Sequence, residues 1–280
     1  MTDTRTLEVT GAVLTYDVQA VPDSTHPTLL AIGSPMAADG FADLAARFTD
    51  RTVVRYDPRG TGRSAKADPD SPSTPEQHAD DLHRLVDAIG GPVDVFASSG
   101  GAVNALAFVA KHPEQVRVLV AHEPPAARNV PDSARALAAI ERTRELYAKE
   151  GFGPAMASFI ALTMHKGEFP DGPLAGPSAA DMGMPTEDDG SRNDPLLGQN
   201  LISCTHYEID VDALKAASTR VIIAVGAESV GELAHRCALG VAERLGLEPV
   251  TFPSHHGGFT DSPWAKGDPD GFAAKLRELL

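Results

Sequence analysis

The stretch Val93-Asp94-Val95-Phe96-Ala97-Ser98-Ser99-Gly100-Gly101-Ala102-Val103 decides how the rest of this chain is read. Val93, Val95 and Phe96 have the β-branched and aromatic character of a short buried strand. From Gly100 to Lys111 the apolar residues Ala102, Val103, Ala105, Leu106 and Val109 fall on helical spacing. A strand that becomes a helix this abruptly leaves little space beside the turn, and Ala97 and Gly101 stand two positions either side of Ser99. The residue at such a bend is forced into a strained backbone region, which pushes its hydroxyl outward. Ser98 is the rival for that position, but the residue two before it is Phe96, too bulky for the turn.

On the N-terminal side, Leu7 to Ala20 reads as a hairpin around Gly11-Ala12, and Asp23 to Pro27 as a polar loop. Thr28 to Ile32 is a continuous apolar run, as expected of a strand buried on both faces, and it ends in Gly33-Ser34-Pro35-Met36. A helix is predicted over 41–48 and a strand over 52–57, the latter entering Pro58-Arg59-Gly60-Thr61-Gly62-Arg63-Ser64. Thr74-Pro75-Glu76-Gln77 combines a cap, a proline at the first helical position and a reciprocal glutamine. That helix runs to Ile89 with Ala79, Leu82, Leu85 and Val86 on one face, and His78 and His83 read as solvent-facing. Gly90-Gly91-Pro92 ends it.

On the C-terminal side, His112-Pro113 stops the helix that follows the bend, and Val116 to Ala121 forms a strand ending in His122-Glu123-Pro124-Pro125. Strands and helices alternating at this spacing imply a parallel sheet with right-handed crossovers. Between 126 and 207 the alternation stops. Helices are predicted over 132–149 and 154–164, then a Gly/Pro/Asp-rich stretch over 166–193, then a last helix within 194–207. Met156, Met164, Met182 and Met184 lie in this block with Phe159, and read as core rather than substrate contacts. The alternation resumes with a strand at 219–226, a helix at 230–245, a strand at 248–252 and a helix at 269–280. Pro253-Ser254-His255-His256-Gly257-Gly258-Phe259 lies between the last two.

A chain of 280 residues with 42% apolar content has material for a full core, as one α/β domain with an inserted piece or two small domains. The formal charge of −15 argues against a nucleic-acid or anionic-membrane partner and leaves a small-molecule substrate as the expected one. Cys204 and Cys237 are too few and too isolated for a disulfide framework or a zinc site, so reduced thiols, no metal and no cofactor are expected. The first residues, Met1 to Glu8, carry no apolar signal core, and no run approaches a membrane span. A cytoplasmic enzyme is the resulting expectation, with monomer and homo-oligomer both open. The two glycines of 57–64 do not make a phosphate loop, because no Gly-Lys-Ser/Thr follows. Asp57 and Arg59 read instead as braces for the strand ends.

Taken together these motifs resemble the α/β-hydrolase superfamily. The bend at Ser99 resembles its nucleophile elbow, small-x-Ser-x-small, with Ala97 in place of the commoner first glycine. Asp57-x-Arg59-Gly60-x-Gly62-x-Ser64 resembles the turn after its fourth strand, and Gly33-Ser34-Pro35 its His-Gly-x-Pro turn with Ile32 for histidine. The resemblance implies a mostly parallel eight-stranded sheet with helices on both faces, a core of residues 1–125 and 208–280, and an inserted helical cap at 126–207. It also implies a triad in the chain order Ser, acid, His. A serine hydroxyl attacks a carbonyl only when a base takes its proton and a carboxylate orients that base.

In this sequence Ser99 is the candidate nucleophile and His256 the candidate base, with Gly257 giving it room and His255 where the family usually has glycine. The family's usual acid position holds Ser229, which cannot balance an imidazolium. Glu228 is adjacent to it. Glu123 sits just after the strand that follows the elbow, where relatives such as haloalkane dehalogenases place their acid. Glu123 is preferred and Glu228 kept as the alternative. The oxyanion hole is expected from the backbone amides of Gly100 and Ser34, since Pro35 has no N–H. The implied chemistry is cleavage of a carboxylic ester, lactone or thioester through an acyl-enzyme. The alternatives are acyl transfer, other non-hydrolytic chemistry at the same site, or a catalytically silent ligand-binding relative. Serine at 99 argues against dehalogenase and epoxide-hydrolase chemistry, which use aspartate there.

Overall fold

The computed structural model describes residues 2–261 and 266–280. In chain order the strands and helices are β1 (Thr2–Val9), β2 (Ala12–Gln19), β3 (Leu29–Ile32), α1 (Ala42–Arg47), β4 (Val53–Asp57), β5 (Ala65–Lys66), α2 (Pro75–Ile89), β6 (Val93–Ser98), α3 (Gly100–Lys111) and β7 (Val116–His122). Then come α4 (Ser133–Glu150), α5 (Phe152–Met164), a π-helical turn (Leu196–Asn200), α6 (Leu201–Thr205), α7 (Val211–Ala216), β8 (Arg220–Gly226), α8 (Leu233–Leu245), β9 (Val250–Phe252) and α9 (Pro269–Leu279). The sheet order is β1-β2-β4-β3-β6-β7-β8-β9, with the two-residue β5 beside β2. From β4 to β9 every neighbouring pair is parallel, while β1, β2 and β5 pair antiparallel. The expected mostly parallel sheet of eight strands is therefore present, with that short ninth strand added among the described residues.

Register places the site. Ile32 faces Ala97, Ser98 faces His122, His122 faces Ala224, and Gly226 faces Phe252. The parallel strands thus end at nearly one level, and the residues just past their carboxyl ends gather along one edge. Ligand sites of open parallel sheets lie on that edge. The ladder continues one residue further, with the Ser99 N–H donating to the His122 carbonyl at 3.0 Å and the Glu123 N–H to that of Ala224 at 2.9 Å.

Both faces of the sheet are covered. One carries α2, α3, α7 and α8, through Leu82, Leu85, Leu106, Phe108, Leu214 and Val241. The other carries α1 and α9, whose Leu44, Phe272 and Leu276 pack with Phe96, Phe252 and Phe259. A third cluster lies in the segment between β7 and β8, where Ile140 and Tyr147 of α4, Leu162 of α5, Leu197 and Leu201 meet Leu233 and Cys237 of α8. Cys204 and Cys237 are free and buried. Among the described residues no helix is long and apolar enough to cross a membrane.

Side-chain bonds fix the loops around this edge. Asp57 accepts from the Ala38 N–H at 2.9 Å and from the Arg63 backbone N–H and Nε at 2.8 and 2.7 Å. Arg59 forks onto both oxygens of the buried Asp81 at 2.7 and 2.6 Å. The turn at 57–64 is thus the brace that its sequence suggests. The Thr74–Gln77 capping box at the start of α2 is also present in both directions.

Local expectations differ from the structure in the N-terminal hairpin and along α2. The hairpin begins at Thr2 rather than near Leu7, because this edge strand is held by its backbone ladder to β2 and needs no apolar face. His78 is buried, not solvent-facing: it precedes Leu82 and Leu85 by four and seven residues and so falls on the buried stripe of α2. His83 is half-exposed and stacks on His112 at 4.0 Å between ring centroids.

Candidate active site

The elbow explains why two glycines follow the serine. A Cβ on Gly100 would stand 2.5 Å from the Ser34 carbonyl oxygen, and one on Gly101 would stand 2.4 Å from that of Ile32. The start of α3 therefore presses directly on the end of β3, an approach that only glycine allows. Ser99, at φ 57° and ψ −131°, takes the strained backbone geometry of the bend. It lines a cavity of about 450 Å³ together with Ser34, Gly100, His255 and His256. Ser98 is buried behind it, with its hydroxyl 3.3 Å from Nδ1 of His122.

Nδ1 of His256 lies 2.6 Å from Oε2 of Glu123. The carboxylate can only accept, so Nδ1 carries a proton, and in the neutral ring the free lone pair is on Nε2. The other oxygen, Oε1, accepts from the Gly226 N–H at 2.9 Å and the Ser229 hydroxyl at 2.7 Å. Burial alone would raise this carboxyl. The hydrogen bond from His256 and its charge, with the Gly226 N–H, outweigh burial and hold it at about 2, fully ionised. Glu123 itself sits at φ 49°, so it leaves β7 by a sharp turn that points its side chain across the ends of β8 and β9.

The other sequence candidates fall elsewhere. Glu228 is exposed, and its backbone N–H donates to the Ser254 carbonyl at 2.9 Å. Both ring nitrogens of His255 are engaged, Nδ1 with the Gly257 N–H at 3.1 Å and Nε2 with the Lys266 carbonyl at 3.3 Å. Gly257 does not make room for His256, since a Cβ there would meet only the His255 ring, at 3.5 Å. The tight position is Gly258, where a Cβ would approach Ser254 Cβ at 2.8 Å and the carbonyls of His255 and Pro253 at 3.0 and 3.1 Å.

Two further residues were not singled out as partners by sequence reasoning. Ser229, at the family's usual acid position, instead serves Glu123 by hydrogen bond. His122 is wholly buried among Phe96, Phe252, Phe259 and Phe272, and burial pushes it down to about 3, so it is neutral. Ligand atoms of His122, Glu123 and His256 lie within 4.8 Å of one another. Both oxygens of Glu123 are already taken, so this cluster is suited to holding an imidazole in one tautomer rather than to ligating a cation.

The remaining walls of the cavity are mostly apolar: Pro125 from the turn after β7, Phe159 and Leu162 from α5, Leu196 and Leu201 from the following turns, and Leu233 from α8. Met164 also lines it, whereas Met156 packs into the third core cluster.

Comparison with known proteins agrees with this architecture. The family model described as alpha/beta hydrolase fold matches residues 29–200, and the chain belongs to that family. It is similar to the uncharacterized hydrolase YraK of Bacillus subtilis (strain 168), with 32% identity over 265 residues, covering 91% of this chain and 90% of YraK. Among solved structures it resembles a thermophilic esterase from Thermogutta terrifontis, with a TM-score of 0.67 at 19% identity over 99% of this chain and 97% of that one. The enol-lactonase from Burkholderia xenovorans LB400 superposes with a TM-score of 0.62 at 18% identity, over 99% of each chain.

Proposed function

We propose that the protein is a serine hydrolase that cleaves a carboxylic ester, lactone or thioester through an acyl-enzyme. The observation that carries this reading is the buried Glu123 carboxylate 2.6 Å from Nδ1 of His256, on a loop that shares one cavity with Ser99. In this reading Nε2 of His256 takes the Ser99 proton as the hydroxyl attacks the substrate carbonyl, and Glu123 stabilises the imidazolium that forms. The Gly100 amide, at the N-terminus of α3, and the Ser34 amide donate to the oxyanion; such a donor is commonly worth about 3 kcal/mol in the transition state. The leaving group departs with the proton from His256. Water activated by the same nitrogen then releases the acid and restores Ser99.

Residues 126–207 act as the cap in this scheme, since α5 and the turns at 196–205 wall the cavity opposite the sheet. A volume of about 450 Å³ with mostly apolar walls suits a small or medium acyl group. Labelling with a fluorophosphonate tests the assignment. The expected result is one adduct on the Ser99 peptide, absent from Ser99→Ala; a native protein left unlabelled would favour a ligand-binding role instead.

A further inference from the structure

Resting on the reading of Ser99 and His256 above, we propose that Asn200 is a positioning residue for the oxyanion hole. It acts from the helical segment between β7 and β8 through the hydroxyl of Ser34. The Ser34 hydroxyl lies 2.6 Å from Oδ1 of Asn200, and both residues are buried and line the cavity. Which group donates is fixed by the other end of the amide. Nδ2 of Asn200 donates to the Pro195 carbonyl at 2.8 Å, so the end that faces Ser34 is the carbonyl oxygen. The Ser34 hydroxyl proton is therefore committed to Asn200 and is not a third donor to the oxyanion. What the bond does is hold the residue whose backbone N–H is the proposed second donor.

The backbone supports this assignment. Asn200 closes the π-helical turn Leu196–Asn200, and its own N–H bonds the Pro195 carbonyl at 3.0 Å. Such turns commonly mark functional positions in helices. Four residues on, Sγ of Cys204 lies 3.8 Å from the Gly100 carbonyl and 3.9 Å from Oδ1 of Asn200. A Cβ on Gly100 would meet both the Ser34 carbonyl and this sulfur, at 2.5 and 3.1 Å. One face of a single turn thus bears on both residues that carry the proposed oxyanion donors. Gln199 anchors that turn to the core, bonding Lys66 at 3.3 Å and the Ser71 carbonyl at 3.4 Å. Leu196, Leu197 and Leu201 around it are apolar, so the amide at 200 is set among leucines. A buried amide is costly unless its hydrogen bonds are used, and here both ends are.

The test compares Ser34→Ala and Asn200→Leu, singly and together, by kcat and KM on a p-nitrophenyl ester and by the rate of fluorophosphonate labelling. Each single variant is expected to lower kcat and the labelling rate by about tenfold, with KM changed by less than about threefold. The double variant is expected to be no worse than the worse single, because both remove the same bond. Losses that multiply to about a hundredfold in the double variant, or variants that label and turn over at the wild-type rate, would overturn the proposal. A wild-type protein that fails to label at Ser99 would overturn the underlying hydrolase reading as well, which separates the two failures. Thermal melts accompany each variant; should Asn200→Leu not fold, Ser34→Ala, which removes one oxygen, decides alone.

Discussion

Replacing Glu123 by glutamine tests the site's electrostatics at one atom. The carboxyl is held at about 2 instead of 4.5, which corresponds to about 3 kcal/mol favouring its ionised form. Burial works against ionisation, and most of what outweighs it comes from His256, whose imidazolium in the transition state faces Oε2 at 2.6 Å. Glutamine removes the charge and also reverses a hydrogen bond. Its oxygen will stay with the Gly226 N–H and the Ser229 hydroxyl, because both are donors. Its NH2 must then face Nδ1 of His256, which draws the ring proton to Nε2 and leaves no base towards Ser99. The expected result is a fall in kcat of about a hundredfold or more for p-nitrophenyl ester hydrolysis, with little change in KM. Glu228→Gln, measured beside it, is expected to behave as wild type, its residue being exposed and Nδ1 of His256 being paired with Glu123. If Glu123→Gln keeps kcat within about threefold while Glu228→Gln loses about a hundredfold, the acid is Glu228 and this reasoning fails.

Ser229→Ala removes one charge-assisted bond to the buried carboxylate and is expected to lower kcat about tenfold, corresponding to about 1.5 kcal/mol. An unchanged kcat would show that the Gly226 N–H suffices. Gly257→Ala is expected to fold and turn over nearly as wild type, whereas Gly258→Ala crowds Ser254 and the preceding carbonyls and should lower both Tm and kcat. Equal effects of the two, by melting and steady-state kinetics, would contradict the loop geometry. His78 is kept neutral to about pH 3 by burial and by the positive charges of Arg59 and Lys66, against 6.5 unfolded. The unfolded chain therefore takes up a proton around and below pH 6.5 that the folded one refuses, and stability falls as pH drops, by about 2 kcal/mol from pH 7.5 to 5 for this residue. Denaturant unfolding of His78→Leu at pH 7.5 and 5 should show a loss smaller by about that amount; an unchanged loss would place the titration elsewhere.

Much of the fold is legible in the chain because its strand ends carry distinctive residues. Ile32, Ser98, His122 and Phe252 close parallel strands, and the groups that follow them, Ser34, Ser99, Glu123 and the loop to His256, are brought to one edge by the register. Local chemistry was equally readable at Thr74–Gln77 and at Asp57–Arg63. What sequence could not supply is the long-range pairing. Ser229 looks like a missing acid until Glu123 is seen beside it, more than a hundred residues earlier in the chain. Asn200 lies in the helix predicted within 194–207, but nothing in the sequence marks the π turn that it closes or its bond to Ser34. His78 shows a different failure: the apolar face drawn through Ala79, Leu82, Leu85 and Val86 leaves it out, but the buried stripe of α2 is wide enough to include it.

The most direct measurement of the central claim is acid-quenched trapping of the acyl-enzyme. The protein is mixed with a slowly turned-over p-nitrophenyl ester, quenched during turnover and mapped by peptide mass spectrometry. The expected result is an acyl group on Ser99, none on Ser98, and an initial burst of p-nitrophenol matching the enzyme concentration. Steady turnover with no burst and an unmodified Ser99 peptide would contradict covalent catalysis by this serine.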